Sequence, residues 1–300
     1  MLRSLWSTAP LLLALATLFW SGNFVLGRAV HEHIPPIALA FFRWAGAFVI
    51  VLGFAWPHLK RDWPTLRAQP GRVALLSLLG VATFNSMVYF GLNTTTVMNA
   101  VLLQSTMPLL IVLGSFLIYR EPVRRIQMLA LLISLAGVAV IISHGSVQAL
   151  LALALRPGDG IIFLAVVLYG MYSVLLRERP KVHPLSFCAG TFAIGSLMLL
   201  PVYLVEHVGY RQMHFDGPTA LALVYVMVFP SLLAYLCFNR AVELIGANRA
   251  GQYLHLMPVF GTLLAAIFLG ERLQGFHVVG AVLIAAGILL AQFLVPPKPA

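Results

Sequence analysis

Long apolar runs, each closed by a few polar or charged residues, recur ten times along the chain. They lie near 9–29, 35–56, 73–93, 98–118, 126–145, 160–177, 184–206, 219–239, 248–269 and 275–295. Each is close to the roughly twenty residues that an α-helix needs to cross the hydrocarbon core. The division is weakest within 73–118, where Asn93-Thr94-Thr95-Thr96 makes a slight polar break. One helix of that length would be about twice the hydrocarbon thickness, so two helices joined by a tight turn are predicted. No run alternates polar and apolar residues as a barrel strand does. Unpaired backbone groups are too costly in lipid for irregular structure. The pattern predicts an all-α polytopic membrane protein with ten transmembrane helices.

Composition removes the soluble alternatives. The 300 residues are 61% hydrophobic and 9% charged, with a mean hydropathy of +0.95, whereas a soluble domain carries about 25% charged residues. Membrane lipid is therefore the expected neighbour of most of the surface. The net charge of +10 does not imply nucleic acid, because the basic residues sit in short clusters between apolar runs. With a cytoplasmic N-terminus, fourteen of the nineteen Lys and Arg fall in inside segments and four in outside segments (Arg28, Arg156, Arg211 and Arg272), with Arg43 inside a helix. Ten spans keep this alternation through both halves and return the C-terminus to the cytoplasm. Cys188 and Cys237 lie within apolar runs and read as packing residues. Met1-Leu2-Arg3-Ser4 precedes a first membrane helix rather than a cleaved signal.

The chain also repeats itself. A shift of 150 sets Tyr119-Arg120-Glu121 on Leu269-Gly270-Glu271, Met107-Pro108 on Met257-Pro258 and Ala136-Gly137 on Ala286-Gly287. A shift of 149 sets Trp20-Ser21-Gly22-Asn23 on Tyr169-Gly170-Met171-Tyr172, and a shift of 148 sets Pro36 on Pro184. The halves divide as 1–148 and 149–300. Five spans per half is an odd number, so the two five-helix repeats are expected to be inverted. Inverted repeats can exchange conformations and so open a central site to either side of the membrane in turn.

Few polar groups lie inside the spans. Arg43 is the most deeply placed ionisable residue, and an arginine in hydrocarbon usually faces a polar cavity or a partner. Snorkelling beside Trp44 is the competing explanation. With no acidic residue at the middle of a span, Arg43 favours an anionic or carboxylate-bearing solute. His255 can donate to a solute, take a proton, or simply bond a neighbouring carbonyl. Asn85, Gln104, Trp20, Asn23, Tyr169 and Tyr172 complete the candidate solute-binding set. Pro108 and Pro258 each remove a helical hydrogen bond at matched places, which suits kinks that shape a cavity or permit rocking. Glu121 and Glu271 end the same helices, and each is expected to bond a neighbouring turn or cap the following helix. Gly114, Ser115, Gly137, Gly280 and Gly287 suit close helix approach. There is no phosphate-binding loop, zinc-protease motif or nucleophile elbow, so neither an ATP motor nor an enzyme is indicated. No metal or cofactor is called for.

Trp20-Ser21-Gly22-Asn23-Phe24, Pro36 followed by Arg43, and two similar C-terminal signatures together carry a family resemblance. The first signature runs Asn99-Ala100, Pro108-Leu109, Tyr119-Arg120-Glu121, Ala136-Gly137; the second runs Ala247-Asn248-Arg249-Ala250, Pro258-Val259, Leu269-Gly270-Glu271, Gly280, Gly287. From about 9 to 293 the chain resembles the EamA-type permeases of the drug/metabolite transporter superfamily. The resemblance implies ten helices in two inverted five-helix repeats in the bacterial inner membrane, and export of amino acids or related metabolites, sometimes of toxic amphiphiles. It also implies a cavity lined by the first four helices of each half, with the fifth and tenth peripheral. Trp20, Asn23, Arg43, Tyr169, Tyr172 and His255 are the lining candidates on that pattern. The expected partners are a small-molecule solute and membrane lipid, with transport driven by the solute's own gradient, by a counter-solute or by a coupling proton. Efflux of toxic amphiphiles and a non-transporting membrane enzyme or scaffold stand as alternatives.

Overall fold

The computed structural model describes residues 6–30, 34–209, 213, 216–270 and 272–294. Glu271 lies outside the described residues, as do Arg3, Arg211 and Lys298 of the charge pattern. The regular structure described is all helical. We number the long helices α1 (Ala9–Val30), α2 (Pro36–Ala68), α3 (Pro70–Gly91), α4 (Met98–Tyr119), α5 (Arg125–Ile142), α6 (Pro157–Glu178), α7 (Pro184–Gly209), α8 (Gly217–Ile245), α9 (Ala247–Phe268) and α10 (Gly275–Leu294). Among the described residues, nine helices, α2 to α10, are long and apolar enough to cross a membrane by length and composition. The protein is an all-α, multi-pass membrane protein.

The weak polar break at 93–96 is a genuine turn. Thr96 caps α4 by accepting from the Asn99 amide at 3.2 Å, as N-terminal hydroxyls do. Thr95 and Asn99 then donate to Asp159, the Asn99 bond measuring 2.8 Å, so the turn is tied to the start of α6. The largest departure from the expected boundaries is α2, which continues past 56 to Ala68 through Pro57 and Pro64. Both prolines are exposed. The buried stripe continues through Val51, Ala55, Asp62 and Leu66, which keeps the extension helical against α7. This places Lys60, Arg61 and Arg67 on a helix rather than in a loop.

Helices α2 and α7 pack along each other and cap each other. The Asp62 carboxylate accepts from the His183 amide at 2.8 Å, at the start of α7. The Glu206 carboxylate accepts from the Ile37 and Ala38 amides at 3.0 and 2.7 Å, at the start of α2. Each carboxylate satisfies donors that have no partner inside the helix and meets the positive end of its dipole. Replacing either Asp62 or Glu206 by alanine is expected to cost about 1–2 kcal/mol. Because the two caps sit at opposite ends of the pair, the double variant should lower the thermal midpoint in detergent by the sum of the single shifts.

Helices α5 and α10 meet at a seam of small residues. A methyl group added at Gly137 would lie 2.6 Å from the Gly280 carbonyl oxygen, and one at Gly287 would lie 2.5 Å from that of Ala130. Across a shift of 150 these two contacts exchange halves. Two other pairs of equivalent residues touch one another. Trp20 meets Tyr169 edge-on at 6.2 Å, and His255 bonds Ser105 at 2.9 Å across 150 residues of sequence.

The prolines act slightly upstream of where they stand. Pro108 has no N–H, and α4 breaks at Ser105–Thr106 into two helical segments. The Leu109 amide bonds Thr106 instead of Ser105, which leaves the Ser105 carbonyl for the His255 ring. In α9 the equivalent distortion is the tight turn Tyr253–His255, just before Pro258. A second matched pair of distortions, without a sequence-based expectation, widens α3 at Leu78–Thr83 and α8 at Met227–Leu233 into π-helix. Each wide turn offers a carbonyl to a side chain from the other half. Gly80 receives the Tyr235 hydroxyl, and Pro230 receives the Trp20 indole N–H at 2.9 Å.

Candidate functional site

Arg43 stands on α2 seven residues from Pro36, about 10 Å from that helix end. Its side chain is buried, 1% exposed. Nε donates to Ser231 Oγ at 2.6 Å, and Nη2 donates to the Pro230 carbonyl at 3.1 Å, both in the widened turn of α8. Nη1 donates to Asn85 Oδ1 at 3.0 Å, Tyr89 OH at 3.2 Å and Asn23 Oδ1 at 3.3 Å. The guanidinium thus joins α1, α2, α3 and α8. Its partners are all neutral, and among the described residues no carboxylate pairs with it. Snorkelling is not the arrangement adopted, since the head group points to interior acceptors.

Asn23, Asn85 and Gln104 lie six or seven residues from the ends of α1, α3 and α4, at about the same depth as Arg43. Together they form a polar belt around a cavity of about 660 Å³. The cavity reaches the helix ends beside His144, Arg272, Gln274, Phe276 and His277, so it opens where α5 meets α6 and α9 meets α10. Its sides are largely apolar, including Val88, Met98, Val101, Ile141 and Met257. The expectation that the fifth and tenth helices are peripheral is therefore corrected at the open end of the cavity. Ile141 and Ile142 of α5 and Phe276 and His277 of α10 line the entrance, because the Gly137–Gly280 seam draws these helices together.

Aromatic rings fill the space below the belt. Trp20 packs against Tyr235 at 6.0 Å and Phe238 at 5.3 Å, and Tyr169 packs against Tyr172 at 5.3 Å. Trp44 closes against both Tyr235 and Phe192 at 5.0 Å. At the far helix ends, two ion pairs and a hydrogen bond tie the elements together. Glu121 meets Arg177 at 2.8 Å, Arg179 meets Glu243 at 3.0 Å, and Tyr119 donates to Glu178 at 2.8 Å. The cavity is open at one end and blocked at the other.

Of the candidate residues, Trp20, Asn23, Arg43, Asn85, Gln104, Tyr169 and Pro258 line this cavity. Tyr172 lies outside its lining and donates to Asn239 at 3.1 Å. His255 is fully buried and holds the break in α4 rather than facing the cavity. Pro108 shapes that break from behind. Ahead of α5, the N-cap Arg124 makes no side-chain cap, and Glu121 reaches across to other helices. It accepts from Arg177 and, at 3.2 Å, from Asn248, because α6 and α9 bring these donors to it across the closed end. Sequence reasoning missed Tyr89, Ser231 and Pro230 as partners of Arg43. Tyr89 was signalled by its spacing, one helical turn from Asn85 on the same face, and Pro230 by its place within a span.

The doubled arrangement has counterparts among known proteins. The model of the EamA-like transporter family matches twice, over residues 7–143 and 156–293. The chain belongs to the EamA-like transporter family. Members of this family are transporters, so the protein is not an enzyme. An EamA-like relative in Bacillus subtilis, the uncharacterised transporter YyaM, is 27% identical over 279 residues, covering 92% of this chain and 90% of its own. A "Probable amino-acid metabolite efflux pump" of Salmonella typhimurium is 25% identical over 284 residues, covering 93% of both chains. A solved crystal structure shares the fold with a TM-score of 0.79 at 22% identity, covering 96% of this chain and 97% of that one. Among the described residues, no group of three or more His, Cys, Asp or Glu side chains is placed to hold a metal ion.

Proposed function

We propose that this EamA-like protein is a secondary carrier that exports a small metabolite, such as an amino acid or its derivative, by alternating access. The observation that carries the reading is the half-open cavity, which ends at a belt of buried polar groups with packed aromatic rings beneath it. A channel would need a continuous path, whereas a carrier holds its solute between two barriers. The efflux pump of Salmonella typhimurium, covered along nearly its whole length, supports export of amino-acid metabolites.

The same reading has ten helices cross the bacterial inner membrane as two inverted five-helix repeats, 1–148 and 149–300, with both termini in the cytoplasm. The contacts that exchange halves, the paired π-turns and the paired proline breaks support this symmetry. The positive charge of the segments near Arg72, Arg120 and Arg177 supports a cytoplasmic closed end. The conformation described then faces outward. Substrate-binding roles fall to the lining residues Trp20, Asn23, Arg43, Asn85, Gln104 and Tyr169, with Tyr172 and His255 joining when the opposite side opens. Where the solute's own gradient does not drive export, a proton or counter-solute is the remaining partner.

Counterflow tests this directly. Purified protein in liposomes would be preloaded in turn with pooled amino acids, carboxylic acids, nucleosides, sugars and organic cations. Saturable, preload-dependent uptake of label from one pool is expected. Absence of exchange with every pool, by protein that is folded and inserted, would overturn carriage.

A further inference from the structure

The cavity carries information about the solute beyond the general carrier reading, on which the following rests. Arg43 is a buried cation whose partners among the described residues are neutral oxygens. Such a charge in a low-dielectric setting is stabilised strongly by an anion. Gln104 supplies a second, independent observation. The residue is only 9% exposed and lines the same cavity, and its amide Nε2 is enclosed without a hydrogen-bond partner, so a half-turn of the amide would present this free donor to the cavity. A buried donor left unsatisfied is costly and is relieved by an acceptor on a ligand.

The cavity offers little to a cationic group. No Asp or Glu lines it among the described residues. The side-chain oxygens of Asn23 and Asn85, both facing it, already receive N–H groups from Arg43. An ammonium would therefore sit beside a guanidinium with its nearest acceptors occupied. Beyond the belt the walls are Val88, Met98, Val101, Ile141 and Met257, which favour an apolar body.

We propose that the solute is a monocarboxylate with an apolar body, its carboxylate received by Arg43 and the Gln104 amide, and that an α-ammonium is dispensable. This sets 2-oxo and 2-hydroxy acids with branched or aromatic side chains at least level with the corresponding amino acids. It excludes apolar amines. Arg43 meets a carboxylate by exchanging its longest bonds, those to Asn23 and Tyr89, while Nε stays on Ser231. The incoming charge thereby frees α1 from the guanidinium and leaves α8, and α3 through Asn85, attached.

The test uses the full-length protein in liposomes at pH 8, with labelled 4-methyl-2-oxopentanoate as probe. Unlabelled 4-methyl-2-oxopentanoate, leucine and 3-methylbutylamine serve as separate preloads. Exchange against the oxo acid is expected to equal or exceed exchange against leucine, and the amine should give none. Gln104→Leu and the isosteric Gln104→Glu should each reduce oxo-acid exchange at least about tenfold, the loss expected for a hydrogen bond to a charged group. Both variants would be judged only as monodisperse, inserted protein. The proposal is overturned if the amine exchanges as well as the acid, or if both Gln104 variants exchange the acid at the wild-type rate. It is also overturned if only leucine exchanges. Exchange confined to nucleosides, sugars or cations would overturn this assignment while leaving carriage intact, and exchange with no pool would remove both.

Discussion

Arg43→Ala is expected to reduce transport by at least about a hundredfold, the largest functional effect of any single substitution in the chain. Four helices converge on this guanidinium, and removing it leaves Asn23, Asn85, Ser231 and the Pro230 carbonyl short of a donor in one place. A hydrogen bond to a charged group contributes roughly 1.5–3 kcal/mol, so two such bonds strengthened by the solute's charge account for the predicted loss. Arg43→Lys should fail almost as badly. A single ammonium on a flexible stem cannot present the planar fork that spans the α8 turn on one edge and Asn85 on the other. Stability should move in a less obvious direction. The arginine lacks a compensating anion, so its removal also ends a burial cost, and the thermal midpoint of Arg43→Ala should shift far less than transport does. Counterflow and a detergent melting curve on the same preparation separate the two effects. Wild-type exchange by well-folded Arg43→Ala protein would remove Arg43 from the mechanism.

The second large effect is the opposite kind. Gly137→Val should destabilise the protein by about 2–4 kcal/mol and lower its thermal midpoint by roughly 5–10 °C. The added carbon would lie 2.6 Å from the Gly280 carbonyl and 2.9 Å from Ile284 and Leu283. A backbone carbonyl cannot rotate away as a side chain can, so α5 and α10 must separate along their length. In lipid the helices gain little from hydrophobic exclusion, and close contact is itself much of what joins them. Transport per folded molecule should persist at low temperature, since the belt residues are not on this seam. Gly287→Val, whose new carbon meets the Ala130 carbonyl at 2.5 Å, should reproduce the result from the other half. An unchanged melting curve for both would show that the seam is looser than described.

What could be read from the sequence follows from what lipid demands. The helices announce themselves because every span must be apolar along its length, and the glycines that permit close approach appear as small residues at matched places. Arg43, Asn23, Asn85 and Gln104 were visible for the same reason, as polar exceptions in apolar runs. Tyr235, Ser231 and the Pro230 carbonyl were not. A lone serine or tyrosine in a membrane helix carries no signal of its own, and a proline within a span marks a distortion without saying which side chain its carbonyl will receive. Only the π-turn at Met227–Leu233 turns that oxygen into a ligand for Trp20 and Arg43. The caps joining α2 and α7 were hidden because Asp62 and Glu206 each serve a helix more than a hundred residues away. His255 stood out correctly as a buried polar group, yet sequence could not choose between solute and carbonyl, and geometry gives it to Ser105.

The polar belt belongs to one half of the chain. Asn23, Arg43 and Asn85 are answered 149, 148 and 150 positions later by Tyr172, Thr191 and Tyr235. On the proposed carrier mechanism, two doorways made of such different materials cannot treat the two faces of the membrane alike. Detailed balance nevertheless couples them. When no second gradient is spent, the ratio of the half-saturation concentrations at the two faces must equal the ratio of the maximal one-way rates. The face that grips the solute more tightly is then also the slower to pass it, and strong one-way kinetics at low solute would signal that another gradient is being consumed.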